Sequence, residues 1–511
     1  MSRSFFPCPL FYGFPIMRLW IALYLPLLQL EVFRPHWLSN PDDRGVVVLE
    51  QNRVSAMSAL ARNAGVEAGM RRGGVQMLLP DAVFHTREPV REQEALHKAA
   101  MALLQYSPLV TGAEDASLLI DVGASLRLFG GVRAICRRIS QTMRALGLSA
   151  QMGCAVTARG AWLLAHNAAL AQRRGRRRSL SMKSLVPILD RLPLALLPAA
   201  SPWLGWLHGV ACRRLGELRR LPRPGLQRRC GKELLQSLDC AYGDENELFN
   251  WIVAPPGFQA RIELPDRMDH AEHILLFARS LLVQLAGWLT ARQLAVTRIT
   301  LHLEHERGRQ AIPPTALPIA LAEATWREEH LLRLLKERLA HLELTAPVIA
   351  ISLEASQVEA MEAPSDSLFP EPGGSPEDHH RLVELLVARL GADNVLQPAP
   401  QADHRPEVAN SWITVLQKIK PAALPDKLVR PAWLFAKPLA LTLRDHRPYY
   451  NSPLKVVSPA ERIEAGWWNG QLVTRDYYIA EGEDHVHYWI YKERIGKEDA
   501  HTVWYAQGVF G

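Results

Sequence analysis

A chain of 511 residues is too long for one compact core, and about 150 residues per domain would give three or four domains. Apolar residues make up 48% and charged residues 22% of the sequence, proportions that exclude an intrinsically disordered chain and an ordinary membrane protein. The six cysteines form no C-x-x-C pair and no Cys/His spacing of a zinc site. We therefore expect reduced thiols and neither a metal nor another cofactor.

The net charge of +7 is unevenly distributed along the chain. Residues 131–232 contain 20 Lys and Arg but only two acids, whereas the remainder has 39 basic and 50 acidic residues. Such a concentration of positive charge indicates a polyanionic partner, because Lys and Arg that neutralise phosphates release condensed counterions. Nucleic acid is the expected partner, and an anionic membrane surface is the weaker alternative.

The N-terminal region is apolar from Phe5 to Leu30. Prolines interrupt this region, and Arg18 leaves Leu19–Leu30 as its longest uncharged stretch, which is shorter than the roughly 20 residues that span a bilayer. We expect no membrane anchor and a buried strand over Leu19–Leu25. Met17 is a candidate start, which would make residues 1–16 an unstructured extension.

From there to Val156 the chain alternates between predicted strands and helices. Short apolar runs favour strands, and alanine and leucine at intervals of three and four favour helices. This order is typical of an α+β sheet domain. The predicted elements are strand Gly45–Glu50, helix Ser55–Asn63, helix Glu92–Tyr106, strand Leu118–Val122, helix Val132–Leu146 and strand Gln151–Val156.

The remaining sequence divides by composition. Residues 187–250 favour short helices broken by prolines and glycines, and residues 261–353 combine alternating strands with a leucine-rich helix at Arg327–Leu342. Residues 355–376 are acidic and rich in Pro, Ser and Gly, which indicates a linker. A helix at His380–Leu390 precedes a region dense in Trp and Tyr, for which we expect short strands.

Several motifs carry a resemblance to a known family. The chain reads Ala61-Arg62-x-x-Gly65-Val66-x-x-Gly69-Met70, then Leu126-Arg127-Leu128-Phe129-Gly130-Gly131, then Gly153-x-Ala155-x-Thr157. In order and spacing these blocks resemble the palm and fingers of the Y-family translesion DNA polymerases. Near the C-terminus, Asp403-His404-Arg405-Pro406-Glu407 and Glu461-Arg462-Ile463-Glu464-x-Gly466-Trp467-Trp468 resemble one subgroup of that family, the ImuB proteins, which are described as non-catalytic.

This resemblance implies a multidomain α+β fold with a polymerase-like right hand and an additional aromatic-rich C-terminal region. The implied parts are a palm at 17–40 and 86–186, fingers at 41–85, a helix-hairpin-helix thumb at 187–255, a little finger at 261–354, a linker at 355–378 and a partner-binding region at 379–511.

The polymerase reaction requires two divalent metals held by carboxylates. The Y family supplies them from a D-x-D on the first palm strand and from a D-E pair that precedes an L-D-V strand. Ala22 and Tyr24 stand at the D-x-D positions in this chain, and Ala116 and Ser117 stand at the D-E pair when Asp121 is aligned with L-D-V. We therefore predict that the protein is not an enzyme.

Two nearby acids keep an alternative open. Glu114 and Asp115 lie two residues from the expected pair, and a register shift would turn one of them inward. An active Y-family translesion polymerase is therefore the alternative. Against it, Ala59 replaces the tyrosine that contacts the incoming triphosphate in active members, although the family's Arg62 is kept.

DNA binding is the activity that we expect to remain. A solvated surface explains any single arginine but explains the whole set poorly, since so much positive charge repels itself. The resemblance to a helix-hairpin-helix thumb implies sequence-neutral contacts from backbone N–H groups to phosphates. The predicted DNA-binding residues are Arg173, Arg174, Arg176, Arg177, Arg178, Arg213, Arg214, Arg219, Arg220 and Gly209.

A second binding element lies in the acidic linker. Ser365-Asp366-Ser367-Leu368-Phe369 resembles the Q-x-x-L-F ligands of bacterial sliding clamps, in which the two apolar side chains fill a pocket. Ser365 departs from the expected glutamine, which should reduce the affinity but keep the anchor. The alternative interpretation is that Leu368 and Phe369 are ordinary apolar residues of a linker, without a binding role. The other candidate, Gln29-Leu30-Glu31-Val32-Phe33, reads as core.

The C-terminal aromatics include Trp467, Trp468, Trp489 and Trp504, which we expect to be core more often than interface. The resemblance implies three protein partners: the sliding clamp, an ImuA-type RecA-like protein and the alpha subunit of an error-prone replicative-type polymerase. We therefore expect a cytoplasmic, nucleoid-associated adaptor in SOS-induced error-prone translesion synthesis. A DNA-binding protein without replication partners is a further alternative.

Overall fold

The computed structural model describes residues 18–38, 44–170, 177–306, 312–361, 376–415, 417, 419, 429–494 and 503–510. The chain divides into two compact units, Met1–Leu385 and Leu386–Gly511. The proposed extension at residues 1–16 lies outside the described residues. Of the cysteines, the five that are described are buried and free, as expected.

The first unit begins with two sheets and the helices that cover them. The strands are β1 (Trp20–Tyr24), β2 (Val46–Glu50), β3 (Arg53–Met57), β4 (Val83–Thr86), β5 (Val110–Ala113), β6 (Ser117–Asp121) and β7 (Gln151–Ala155). The helices are α1 (Leu28–Glu31), α2 (Ala59–Asn63), α3 (Arg72–Leu78), α4 (Pro89–Leu103), α5 (Val132–Ala145) and α6 (Ala158–Leu170).

The larger of these sheets is antiparallel and has the order β5-β6-β1-β7. Ala22 in the central strand β1 lies opposite Leu119 on one side and Gly153 on the other. Because successive side chains of a strand point to opposite faces, Trp20, Ala22 and Tyr24 share one face. Trp20 and Ala22 are buried there in a cluster with α6, and Tyr24 packs against the same cluster.

The smaller sheet has the order β3-β2-β4 and corrects one sequence-based expectation. The predicted helix Ser55–Asn63 is wrong in its first third, because residues up to Met57 belong to β3. Gln51 and Asn52 have positive φ angles of 50° and 63°, the conformation of a tight hairpin turn, and this turn pairs β3 with β2. Ser58 then caps α2 by accepting a hydrogen bond from the Ala61 N–H.

Five short helices follow, as the sequence predicts for this region. They are α7 (Met182–Leu189), α8 (Leu204–Gly209), α9 (Leu215–Arg220), α10 (Arg223–Cys230) and α11 (Lys232–Tyr242). Leucines at their inward positions, among them Leu207, Leu215 and Leu234, are buried in the same cluster as α6. The helices are therefore packed onto the face of the larger sheet that carries Ala22.

A third sheet completes the first unit, with the order β10-β9-β11-β8. Its elements are β8 (Gln259–Met268), α12 (Leu275–Arg292), β9 (Leu294–His305), β10 (Thr315–Thr325), α13 (Glu328–Ala340) and β11 (Val348–Ala360), and α14 (Pro376–Leu390) follows. α13 confirms the predicted leucine-rich helix, and α14 extends the predicted helix at His380–Leu390 by one turn at its start.

Among the described residues, one helix, Ala271–Arg292, is long and apolar enough to cross a membrane by length and composition. It is 72% buried inside the protein and packs against α4, where a Cβ on Gly287 would lie 2.1 Å from the Met101 carbonyl oxygen. Burial on this scale is typical of a core helix, which is apolar on all sides because every side is covered.

The second unit is rich in strands, as the sequence predicts. They are β12 (Leu396–Pro400), β13 (Asn410–Thr414), β14 (Trp433–Arg444), β15 (Arg447–Tyr450), β16 (Ser452–Pro453), β17 (Lys455–Val456), β18 (Glu461–Ala465), β19 (Val473–Glu481), β20 (His487–Glu493) and β21 (Trp504–Val509). β12 pairs with β13, and the others form one antiparallel sheet in which β18 pairs with β19.

The expectation that the C-terminal aromatics are core holds for only part of the set. Trp489 and Tyr477 are buried and stack with their ring centroids 4.2 Å apart. Trp467 and Trp468 are 73% and 55% exposed, so the expectation is wrong for them. They lie in a short 3-10 helix between two glycines with positive φ, which turns both rings away from the sheet.

Candidate functional site

The first candidate site is the face of β1 on which the Y family carries its D-x-D carboxylates. Ala22 is 1% exposed, and α6 crosses the neighbouring strand so closely that a Cβ on Gly153 would lie 2.1 Å from the Ala161 carbonyl oxygen. Gly153 is thus required for the close approach of α6. This approach leaves no water-filled space above Ala22.

Three aromatic rings are stacked beside Ala22. The ring of Tyr24 stacks on His166, with 3.9 Å between centroids, and His166 stacks on Trp162, with 3.7 Å between centroids. His166 Nδ1 donates to the Trp162 carbonyl oxygen at 3.0 Å. Its Nε2 is buried and has no hydrogen-bond partner among the described residues. Burial lowers the pKa of His166, which favours the neutral imidazole inside the stack.

The two acids that keep a polymerase alternative open lie in the turn between β5 and β6. Asp115 has a positive φ of 54°, and the Glu114 side chain is 55% exposed. The Glu114 carboxylate pairs with the Arg159 guanidinium at 3.3 Å, and the Glu114 carbonyl oxygen accepts a hydrogen bond from Trp162 Nε1 at 3.3 Å. Neither acid is thus part of the buried face of β6.

No group of three or more His, Cys, Asp or Glu side chains suited to a metal ion occurs among the described residues. Near the stack, the carboxylate of Glu247 accepts a hydrogen bond from the Arg159 N–H at 2.8 Å. Burial raises the pKa of Glu247. This hydrogen bond connects the first turn of α6 to the segment after α11. Its role is therefore to stabilise the fold.

The residues expected to contact an incoming nucleotide line a cavity of about 650 Å³ between α1 and α2. They are Arg62 and Ala59, and Leu27 and Glu31 line the same cavity. The Glu31 carboxylate accepts a hydrogen bond from the Ser149 N–H at 2.8 Å, but its other oxygen is buried without a partner among the described residues. Burial raises the pKa of Glu31. Two further arginines line the same cavity, so this single carboxyl group does not make it acidic.

The second candidate site is the surface around α8 and α9, where four of the predicted DNA-binding arginines lie. Arg213 and Arg214 are exposed in the turn before α9, and Arg219 and Arg220 are exposed in its last turn. Gly209 ends α8, and a Cβ placed on it would meet no atom within 4 Å. The two helices and their turn thus expose one basic edge.

The backbone N–H groups in this turn are already occupied. Glu217 Oε2 accepts hydrogen bonds from the N–H of Arg213 at 2.7 Å and of Arg214 at 3.1 Å. These hydrogen bonds lower the pKa of Glu217. The expectation that this turn offers backbone N–H groups to phosphate is therefore wrong at these two positions, where an acidic side chain takes the place of the phosphate.

The arginine side chains of this region fall into two groups. Arg219 lies 4.3 Å from the centroid of the Tyr242 ring and pairs with Asp244 at 3.5 Å. Arg223 donates to Asp239 at 2.9 Å, and Arg229 lies 5.0 Å from the Trp206 ring. The guanidinium groups of Arg213, Arg214 and Arg220 form neither an ion pair nor a ring contact with any residue that the structure describes.

Of the remaining predicted DNA-binding residues, Arg177 and Arg178 lie beside β7, an edge strand of the larger sheet. Arg178 is exposed and forms an isolated parallel bridge with Cys154 in β7, and the Arg177 carbonyl oxygen accepts a hydrogen bond from the Cys154 N–H at 2.8 Å. Arg173, Arg174 and Arg176 lie outside the described residues. So do all five residues of the predicted clamp motif, Ser365, Asp366, Ser367, Leu368 and Phe369.

The second clamp candidate, Gln29–Phe33, is core as expected, because Leu30 is buried against Val46 and Val48. Two members of the ring stack, Trp162 and His166, were not expected from the sequence. Their spacing of four residues places them on one side of a helix, and this spacing is visible in the sequence. What it does not show is that α6 lies over Tyr24.

The comparisons with known proteins agree with the motifs. A model of the impB/mucB/samB family matches residues 35–166. Protein ImuB of two strains of Caulobacter vibrioides is 26% identical over 474 residues, which are 88% of this chain and 100% of the relative. Among solved structures, a Dbh ternary complex is 16% identical and covers 66% of this chain and 98% of its own, with a TM-score of 0.37.

A crystal structure of DinB from Sulfolobus solfataricus is 15% identical, with coverages of 66% and 98% and a TM-score of 0.36. The sequence resemblance is confirmed: this chain is similar to ImuB over most of its length, and residues 35–166 match the model of the impB/mucB/samB family.

Proposed function

We propose that this chain is a non-catalytic, polymerase-like adaptor in SOS-induced error-prone translesion synthesis. The observation that carries this proposal is the sealed face of β1, where Ala22 is buried under α6 and Tyr24 is stacked on His166. Two metal ions in a polymerase need carboxylates and water at this place. The chain offers a methyl group and an aromatic ring, which bind neither ion.

The adaptor binds primer-template DNA without sequence preference. The support for this part is the exposed basic edge at α8 and α9, where Arg213, Arg214 and Arg220 form no ion pair with any residue that the structure describes. Arginines of this kind contact phosphates and carry no base specificity. The similarity to ImuB points the same way, and so does the impB/mucB/samB domain.

The adaptor also joins proteins. The linker motif at Leu368 and Phe369 tethers the sliding clamp, and the C-terminal unit recruits an ImuA-type RecA-like protein and the error-prone polymerase alpha subunit that performs synthesis. The exposed Trp467 and Trp468 support a docking role for this unit, since tryptophan dominates the binding energy of many interfaces. The proposed location is the cytoplasm.

A reconstituted reaction tests this function. Purified chain, clamp and partner polymerase are mixed on a primer-template with a single lesion, and bypass products are quantified with each component omitted in turn. We expect the chain to raise bypass by the partner polymerase only when the clamp is present. Equal bypass with and without the chain would contradict the proposal, and a clamp-independent effect would favour a DNA-binding protein without replication partners.

A further inference from the structure

A groove in the first unit, on the outer side of α5, has no assigned role. We call it the α5/α12 groove, because these two helices form its walls. It has a volume of about 1210 Å³. Its principal lining residues are Leu128, Arg138, Arg144, Leu276, Arg279 and Trp326.

The groove is basic and apolar together. The guanidinium groups of Arg138, Arg144 and Arg327 form no ion pair within the described part of the chain, whereas Arg279 pairs with Glu328 at 2.9 Å. Leu128 is 80% exposed. An occupant with negative charges and large apolar side chains would satisfy both features.

The groove is long enough to hold an extended segment of chain. Leu276, Arg279 and Thr290 lie along one side of α12 and line the groove over fourteen residues, which is about 21 Å at the helical rise per residue. Met361 lines the same groove. Its N–H donates to the Gln293 carbonyl oxygen at 2.9 Å, which fixes Met361 just beyond the C-terminal end of α12.

The chain that continues from Met361 has the matching chemistry. Residues 362–375 contain three acids, Glu362, Asp366 and Glu371, and no Lys or Arg. Their large apolar side chains are the adjacent pair Leu368 and Phe369. Seven extended residues from 362 to 368 reach about 23 Å, which carries this pair from Met361 to the Leu276 end of the groove.

The other end of this segment is attached nearby. The segment ends where α14 begins, and Glu384 in α14 forms a short hydrogen bond with His330 in α13. The first turn of α13 contributes Glu328 and Glu329 to the groove. Both described ends of the segment are therefore attached near the groove, which gives the segment a high effective concentration there.

We propose that residues 362–375 of this chain bind in the α5/α12 groove, with Leu368 and Phe369 packed against Leu276 and the acids facing Arg138 and Arg144. Nucleic acid fits the groove less well, because the rings of Phe129 and Trp326 are already covered by Arg138 and Arg327 at 5.2 and 5.7 Å. The regulatory consequence rests on the proposed function: the docked Leu368 and Phe369 are withheld from the sliding clamp.

Photocrosslinking in the full-length protein tests the docking itself. Phe369 is replaced by p-benzoylphenylalanine, and crosslinked peptides are mapped by mass spectrometry. We expect intramolecular crosslinks to the region of Leu276 and Leu128. The double variant Arg138→Glu with Arg144→Glu should lower their yield roughly fivefold, from two reversed surface charges. The matched control is Arg133→Glu with Arg137→Glu, two exposed arginines of α5 that do not line the groove, and should leave the yield unchanged.

Three results would overturn the proposal: crosslinks that map outside the groove, crosslinks only between molecules, or an equal yield in both double variants. Loss of the crosslink on adding a single-stranded oligonucleotide would assign the groove to nucleic acid and overturn it as well. If the arginine double variant fails to fold, Leu276→Ser, at a 51% exposed position, serves as the second variant. Clamp binding is measured separately. An intact crosslink without any clamp affinity would refute the tether and leave the docking intact.

Discussion

The imidazole of His166 stacks on the phenol ring of Tyr24 with 3.9 Å between the ring centroids, at the strand position for which the sequence resemblance to Y-family polymerases implies a metal-binding aspartate. Trp162 covers the other face of the imidazole. The stack makes Tyr24 part of a core instead of a catalytic surface. Restoring one residue would therefore not restore the site, since its neighbours occupy the volume that metal ions and water need.

Replacing both positions tests this statement. Ala22→Asp with Tyr24→Asp should give no polymerase activity and should lower the free energy of unfolding by about 3–5 kcal/mol, because an unpaired carboxylate is buried under α6. Thermal unfolding and primer extension measure the two effects. Ala59→Asp places a single carboxylate at an exposed alanine and serves as the control for a solvated charge. Gain of metal-dependent extension would contradict the account.

His166 should make stability depend on pH. Burial holds the pKa of folded His166 below its ordinary value of 6.5, so the unfolded chain binds a proton more readily. The free energy of unfolding should accordingly fall as the pH drops below about 6.5. His166→Phe keeps a ring in the stack and removes this proton. In chemical denaturation, the variant should lose less stability between pH 7 and pH 5 than the wild type, and parallel pH profiles would refute the assignment.

The two groups of arginines should differ in DNA binding. Arg213→Ala, Arg214→Ala and Arg220→Ala together should weaken duplex binding and reduce the slope of log affinity against log salt by about 2.7, for three lost phosphate contacts. The matched set is Arg219→Ala, Arg223→Ala and Arg229→Ala. It removes equal charge from side chains engaged with Asp244, Asp239 and Trp206, and should mainly lower stability. Equal slopes for both sets would reject this division.

Substitutions in the proposed clamp motif should either weaken or strengthen binding to the clamp, depending on the position. Leu368→Ala with Phe369→Ala should abolish clamp binding in an equilibrium titration, because each buried anchor contributes roughly 1.5–3 kcal/mol. Ser365→Gln should strengthen binding by restoring a hydrogen-bond donor and acceptor at the position where clamp ligands carry glutamine. Unchanged affinity in the alanine double variant would exclude this motif as the tether.

The exposed tryptophans of the second unit should be dispensable for folding. Trp467→Ala removes a ring that is 73% exposed and should leave the melting temperature nearly unchanged. Trp489→Ala opens a cavity beside Tyr477 and should cost about 3–5 kcal/mol. Pull-down of the partner polymerase by the folded Trp467→Ala variant then tests the docking role, and full recovery of the partner would argue against it.

The amphipathic elements could be predicted closely from the sequence. The helix α5 and strand β1 differ from their predicted bounds by one residue or less at each end, because α5 has distinct buried and exposed faces and β1 is one continuous apolar run. The helix α12 was missed. It is buried on nearly every side, so its sequence shows no contrast between an inner and an outer face.

The candidate site was predictable where it depends on residue identity and not where it depends on packing. The absence of aspartate at Ala22 and Tyr24 is visible in the sequence, whereas the approach of α6 depends on Gly153, whose role appears only in three dimensions. The occupied N–H groups at Arg213 were likewise unpredictable from residue type. From the sequence alone, Glu217 is indistinguishable from an ordinary surface acid. The structure shows that its carboxylate accepts a hydrogen bond from the Arg213 N–H in the turn.

The most direct test of the central claim is primer extension by the purified chain alone, on undamaged and lesion-containing templates, with magnesium or manganese and all four deoxynucleotides. The account predicts that the primer remains at its starting length in every condition while the same preparation binds the template. Nucleotide addition that depends on the metal, and that is lost in Glu114→Gln or Asp115→Asn, would contradict it.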